Sequence, residues 1–148
     1  MRFWRTRRPP GDRQRMADET MQRARQEIQH FRHYLDLVPE TAFMLRRYGL
    51  GQTLAYLQIR GKGRPDSPYS FIYQHLQEHL RRSPGFQGKD VLEYLTQQDS
   101  RTYLRLSQEA LAFSELWAKA AHTVRRELQG ASRRSNAKAQ PPDGVSEV

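Results

Sequence analysis

The chain has 148 residues, of which 36% are hydrophobic, so it can form one domain with one modest core. The absence of cysteine excludes a disulfide framework, a thiol nucleophile and a zinc site of the usual cysteine type, and it fits a reducing cytoplasm. The longest apolar run is far shorter than the roughly 20 residues of a membrane helix, so we predict no membrane partner. The basic start leads into Pro9-Pro10, unlike a secretory signal.

The formal net charge of +9 is concentrated near the start of the chain. Residues 1–16 hold six arginines and one aspartate, whereas residues 17–128 hold 16 basic and 13 acidic side chains. Arginine outnumbers lysine 21 to 4, which suits phosphate recognition by paired N–H donors, although an arginine-rich genome would give the same bias. We predict a flexible basic arm over residues 1–16, a helical bundle over 17–130 and a disordered tail over 131–148.

Apolar residues at steps of three and four predict the first helices. One helix is predicted from Asp18 to Leu37, with a buried face formed by Met21, Ala24, Ile28, Phe31 and Leu35. Pro39 is predicted to end it and to begin a second helix. Gly49 and Gly51 then predict either a kink or the close approach of another backbone. The pattern resumes at Leu50 and ends in the loop 60–65.

Three further helices follow. Ser67-Pro68 is a cap followed by a first-turn proline, and this helix is predicted to end at residues 83–85. A short helix from Lys89 to Gln97 precedes a long one from Asp99 to Gly130. The long helix carries an apolar seam of Tyr103, Leu106, Ala110, Phe113, Trp117, Ala120 and Val124. The fold class is therefore an all-α, single-domain bundle of about five helices with a long C-terminal helix and flexible tails.

The segment from His75 to His79 matches the H-x-x-E-H order of the inverted zinc proteases. Histidines four residues apart share a helix face and could chelate zinc, with Glu78 as the base. Such a site also needs a third ligand and a substrate cleft, which a small bundle hardly supplies. Because Leu76 and Leu80 already account for this helix, we expect solvated histidines beside its core face, and we predict no metal, cofactor or catalytic residue.

The remaining basic residues are candidates for phosphate contact. Arg81, Arg82, Arg125 and Arg126 lie near predicted helix C-termini, where positive charge is favourable for structural reasons alone. No such local role explains Arg46 and Arg47, which precede the glycine pair, or Arg60, Lys62 and Arg64, which belong to the following loop. These five are therefore the better candidates for phosphate contact.

Two segments resemble a known family. The first segment is Val38-Pro39 followed by Tyr48-Gly49-Leu50-Gly51-Gln52-Thr53-Leu54-Ala55-Tyr56-Leu57. The second segment is Tyr103-x-Arg105-Leu106-Ser107-x-Glu109-Ala110-Leu111, followed by Lys119 and an alanine pair. Over about residues 18–128 the chain resembles the small helical subunit of type III-B CRISPR effector complexes, the Cmr RNA-silencing complexes.

The resemblance implies a subunit without catalytic activity. Copies of such a subunit stack along the ribonucleoprotein, beside the subunit that holds the guide RNA, and support target RNA binding, while other subunits cleave. The implied partners are other Cmr subunits, neighbouring copies of this chain, guide RNA and target RNA. Matching positions imply RNA contacts at Arg46, Arg47, Arg60, Lys62, Arg105 and Lys119, to which the loop adds Arg64.

Two other functions are open. A helical adaptor or assembly subunit would use protein–protein contacts alone, with its basic residues serving solubility. A free-standing DNA-binding protein would need a compact basic recognition helix, and no predicted helix concentrates arginine on one face.

Overall fold

A computed structural model describes residues 11–82 and 90–139, and every regular element in these two ranges is helical. The elements in chain order are α1 (Asp12–Glu27), α2 (Phe31–Tyr48), α3 (Leu50–Gly61), α4 (Pro68–Arg81), α5 (Val91–Thr96) and α6 (Ser100–Ala139). The all-α fold with a long C-terminal helix is confirmed, with six helices in the described ranges in place of about five.

Helix α6 forms the centre of the bundle. Its predicted seam is confirmed, because the side chains from Leu106 to Val124 at these positions are buried and Tyr103 is partly buried. Ion pairs join the start of α2 to the later part of α6 and the end of α2 to its middle, so these two helices run antiparallel. Trp117 is fully buried, 5.2 Å from the Phe113 ring and 5.9 Å from the Tyr34 ring of α2.

The single helix predicted from Asp18 to Leu37 is wrong. Helix α1 begins at Asp12 and ends at Glu27, because Ile28 adopts an extended conformation (φ −97°, ψ 120°) before α2 begins at Phe31. The apolar pattern continues across this break without interruption, since Met21, Ala24, Ile28 and Leu35 are all buried although they belong to two helices and the connection between them. The apolar periodicity therefore predicts correctly that these side chains are buried, but wrongly that they lie on one continuous helix.

Pro39 does not break the chain. It lies inside α2, where its missing N–H removes the hydrogen bond that the Leu35 carbonyl would accept. Buried residues on both sides of it, including Leu37, Val38 and Ala42, hold the helix in the core. The cost of one backbone hydrogen bond is outweighed by this packing, so the helix continues to Tyr48.

Gly130 does not end the long helix. Helix α6 continues to Ala139, and Gly130 lacks the positive φ that a left-handed helix end requires. Residues 131–139, predicted as part of a disordered tail, are helical. The remainder of that tail and residues 1–10 of the predicted arm lie outside the described residues.

Several predicted ends are confirmed. The Ser67 side chain accepts a hydrogen bond from the Tyr69 amide at the start of α4, and Asp99 accepts one from the Thr102 amide at the start of α6. Helix α3 ends within the predicted loop 60–65, although Arg60 and Gly61 still belong to the helix. The proposed stop at residues 83–85 and the start of the fourth helix at Lys89 lie outside the described residues. In the described ranges, no helix combines the length and apolarity needed to cross a membrane.

Candidate nucleic-acid interface

Arg46 and Lys119 lie in one groove between α2 and α6, which also contains Pro39 and Phe43. Nη2 of Arg46 lies 3.1 Å from Oε1 of Glu115, and both side chains are about half exposed. The neighbouring Arg47 is exposed and forms no ion pair within the described residues. The groove therefore combines two cations with one carboxylate and an exposed aromatic ring.

The loop after α3 presents Lys62 and Arg64. The Ser70 hydroxyl lies 3.0 Å from the carbonyl oxygen of Gly61 and 2.8 Å from that of Arg64, which attaches the loop to the start of α4. A Cβ atom at Gly61 would lie 2.4 Å from Ser70 Oγ, so the contact requires glycine there. Lys62 and Arg64 are exposed and have no carboxylate partner in the described part of the chain.

Arg60 is held by aromatic rings. Its guanidinium lies 5.0 Å from the centre of the Tyr69 ring and 5.9 Å from that of Tyr56, and it donates a 3.2 Å hydrogen bond to the Tyr69 hydroxyl. These contacts hold the Arg60 guanidinium against Tyr69, while Tyr56 remains exposed.

The predicted residues do not form one site. Tyr69 contacts His33 near the start of α2, whereas Arg46 lies near its end, about 20 Å further along the helix axis. Arg105 and Lys119 are likewise separated by about 21 Å along α6. The predicted basic residues are therefore distributed over several parts of the surface.

The two segments that carry the family resemblance meet in the structure. The Tyr103 hydroxyl accepts a 3.0 Å hydrogen bond from the Gly51 amide, and a Cβ atom at Gly51 would lie 3.3 Å from that oxygen. Gly49 has φ +88°, which lets the chain turn from α2 directly into α3. The close approach predicted at these glycines is made by a side chain and not by another backbone.

The prediction of solvated histidines in the H-x-x-E-H segment is wrong. His75 is 5% exposed and His79 is 2% exposed, with the His79 ring stacked on Phe113 at 3.9 Å between ring centres. The spacing signals this burial, because each histidine follows a core residue, Ile72 or Leu76, by three positions. In the described ranges no group of three or more His, Cys, Asp or Glu side chains is arranged to hold a metal.

The two histidines have separate partners. Nδ1 of His75 lies 2.8 Å from the Tyr34 hydroxyl, and burial lowers the pKa of His75 to about 4, so the ring is neutral at pH 7. Nε2 of His79 lies 2.9 Å from Oε2 of Glu109, which also accepts from Nε of Arg13 at 2.7 Å. Burial raises the pKa of Glu109, but the hydrogen bonds from His79 and Arg13 outweigh it and lower that pKa to about 2.

Other arginines have structural roles that the sequence did not indicate. Arg23 pairs with Glu78 of α4 and Arg25 with Glu127 of α6. Arg125 pairs with Asp36 of α2. The helix C-terminal position predicted for Arg125 and Arg126 is wrong, because α6 continues well beyond them.

The fold and these surfaces define a small all-helical protein with its exposed cations spread over several elements. A family model described as CRISPR-associated protein (Cas_Cmr5) matches residues 12–124, which is most of the chain. The chain therefore belongs to this family of small subunits of type III-B CRISPR systems, and the resemblance is confirmed. The comparisons with curated proteins and with solved structures found no match.

Proposed function

We propose that this Cmr5-family chain is a non-catalytic subunit of a cytoplasmic Cmr ribonucleoprotein that acts in antiviral defence. Its copies stack along the complex beside other Cmr subunits, and its basic side chains support the binding of guide and target RNA. The observation that carries this proposal is that the basic side chains differ in whether they are paired with a carboxylate. Cations that join helices are paired with carboxylates, and Arg46 is one of them, whereas four other exposed cations at the predicted positions have no carboxylate partner in the described ranges, namely Arg47, Lys62, Arg64 and Lys119.

The chemistry of these positions supports phosphate contact without base recognition. Arginine donates paired N–H groups to phosphate oxygens, and lysine adds a flexible point charge. Of the aromatic rings nearest the loop, Tyr69 contacts Arg60 through both its ring and its hydroxyl, which leaves that face unavailable to a base, while Tyr56 remains exposed. Contacts of this kind are weak individually and sensitive to salt, and stacked copies multiply them.

Filter binding of the isolated chain to single-stranded RNA over a salt series tests the RNA role. Each phosphate contact adds roughly 0.7 to the slope of log affinity against log salt, so Lys62→Ala/Arg64→Ala should reduce the slope by about 1.4. The matched control is Arg32→Ala/Arg101→Ala, which removes the same charge from exposed positions outside the two motifs. Deletion of residues 1–10 measures the contribution of the first arginines and leaves α1 whole.

A second function, a helical adaptor that binds only protein, is favoured by one observation. Four large apolar side chains are more than half exposed on α2, α3 and α6, namely Phe43, Tyr48, Ile59 and Leu104. An adaptor would retain no RNA affinity once residues 1–10 were removed. It would lose co-purification with other Cmr subunits when Ile59 and Leu104 were replaced by serine.

A further inference from the structure

The last part of α6 projects beyond the bundle. Among the described side chains of α6, Val124 is the last buried one, Leu128 is partly buried, and residues 131–138 are exposed on every side of the helix. The family match ends at residue 124, so this projection is a feature of the chain outside the matched region. No described residue packs against it to explain why it extends so far.

The projection carries positive charge without compensation. Between residues 128 and 142 the sequence has three basic residues and no acidic one. Arg133, Arg134 and Lys138 form no ion pair with any described residue, although Arg125 just upstream and Arg25 of α1 each pair with a carboxylate of another helix. Arg134 and Lys138 are one helical turn apart, and like charges at this spacing repel each other.

We propose that residues 126–138 of α6 form a second RNA-binding element that contacts the phosphates of an RNA duplex. With Arg126, the charges extend about 18 Å along the helix, whereas successive phosphates of one strand lie roughly 3.4 Å apart along a DNA duplex and closer together along the A-form RNA duplex. Several phosphates can therefore face this row of cations. Residues 125–139 contain no aromatic side chain on which an unpaired base could stack, which favours a duplex over a single strand.

This proposal goes beyond the proposed function, because it uses none of the side chains assigned from the family motifs. It also predicts a different ligand preference, a duplex in place of a single strand. The two proposals can therefore succeed or fail separately. An acidic protein surface could also meet such a helix, and the test below distinguishes that partner from RNA.

The test measures binding of the full chain to a 5′-labelled RNA duplex of about two helical turns and mixed sequence, over a salt series. The variant Arg133→Ala/Arg134→Ala/Lys138→Ala should bind roughly 10-fold or more weakly near 0.1 M salt, and its salt slope should fall by about 2 to 3. Circular dichroism checks that the helix persists, as alanine favours it.

The matched control is Ser132→Ala/Ser135→Ala/Asn136→Ala, which changes as many exposed positions of the same helix without removing charge. It should bind the duplex like the unmodified chain. Equal affinity and equal salt slope for the charge variant and this control would overturn the proposal and leave an acidic protein as the partner. Loss of duplex binding in the charge variant, with Lys62→Ala/Arg64→Ala unchanged on the duplex, would support this element and show that it binds the duplex independently of the loop, whose own role is decided by the single-stranded RNA assay.

Discussion

At the scale of single residues, Glu109 joins three helices. It lies on α6, accepts from His79 of α4, and binds Arg13 of α1 through both carboxylate oxygens, at 2.7 and 3.0 Å. Its side chain is 13% exposed, so it has little water to replace a lost partner. Arg13 was predicted to belong to a flexible arm, and this contact instead attaches the start of α1 to the core.

We expect Arg13→Ala to destabilise the protein by about 1–3 kcal/mol, because it leaves a nearly buried carboxylate short of a partner. Arg15→Ala is the matched control, since Arg15 is exposed and its one ion pair among the described residues is with the neighbouring Asp12, so its loss should cost less than about 0.5 kcal/mol. Urea unfolding at pH 7 measures both. Equal losses would show that the start of α1 is not held by Glu109.

The same carboxylate predicts sensitivity to acid. Its folded-state pKa is about 2, below its ordinary value of 4.5, so it stabilises the fold above pH 4.5 and this contribution is lost as the pH falls toward 2. We expect Glu109→Gln to flatten the fall of the unfolding free energy over this window. Urea unfolding at pH 4.5 and pH 2.5 measures the difference, and parallel curves for the two proteins would contradict it.

His75 predicts a second window at milder pH. Because burial lowers its pKa from 6.5 to about 4, the unfolded chain binds its proton first, and stability falls as the pH drops from 6.5 toward 4. The loss attributable to His75 between pH 7 and pH 5 should be about 2 kcal/mol. His75→Gln should remove that dependence, whereas the exposed His122→Gln should keep it. A pH dependence that survives in His75→Gln would contradict the assignment.

At the scale of the elements, glycine and proline were the least reliable signals. Pro39 and Gly130 are residues that often end helices, yet both lie inside helices. Core packing on both sides of Pro39 lets α2 continue, and α6 continues through Gly130, where no neighbouring atom would even contact an added Cβ. The true break at Ile28 has no glycine or proline to mark it. Gly49 and Gly51 are different, since a positive φ and the contact with Tyr103 give each a tertiary reason.

Gly130→Ala tests the continuity of α6. A Cβ atom there meets nothing within 4 Å, so alanine should stabilise the last turns of the helix by about 0.5–1 kcal/mol. Had Gly130 been a left-handed helix end, alanine would have destabilised it instead. Hydrogen exchange of the amides from residue 131 to 139 should slow in the variant, and faster exchange would contradict the continuous helix.

At the scale of the whole molecule, the helical class and the central role of α6 could be predicted from sequence, because the seam from Leu106 to Val124 is long and regular. The sequence could not show in the same way which surface arginines pair with carboxylates and which face solvent. Whether an arginine joins two helices or faces solvent depends on which carboxylates the fold brings near it. Arg23 joins α1 to α4 because the fold places Glu78 beside it, whereas Arg47 faces solvent. The lack of a helix-terminal role singled out five cations and the family motifs added Arg105 and Lys119, and the structure separates these residues into distinct surfaces.

The most direct test of the central claim is the affinity of the assembled Cmr complex for target RNA at physiological salt. The complex is reconstituted with the unmodified chain, with Arg46→Ala/Arg47→Ala, or with the control Arg32→Ala/Arg101→Ala. Since each subunit copy loses two cations, the first variant should bind target RNA several-fold more weakly, with a shallower salt slope, while the control binds normally. Unchanged affinity and slope for Arg46→Ala/Arg47→Ala in a fully assembled complex would contradict the claim.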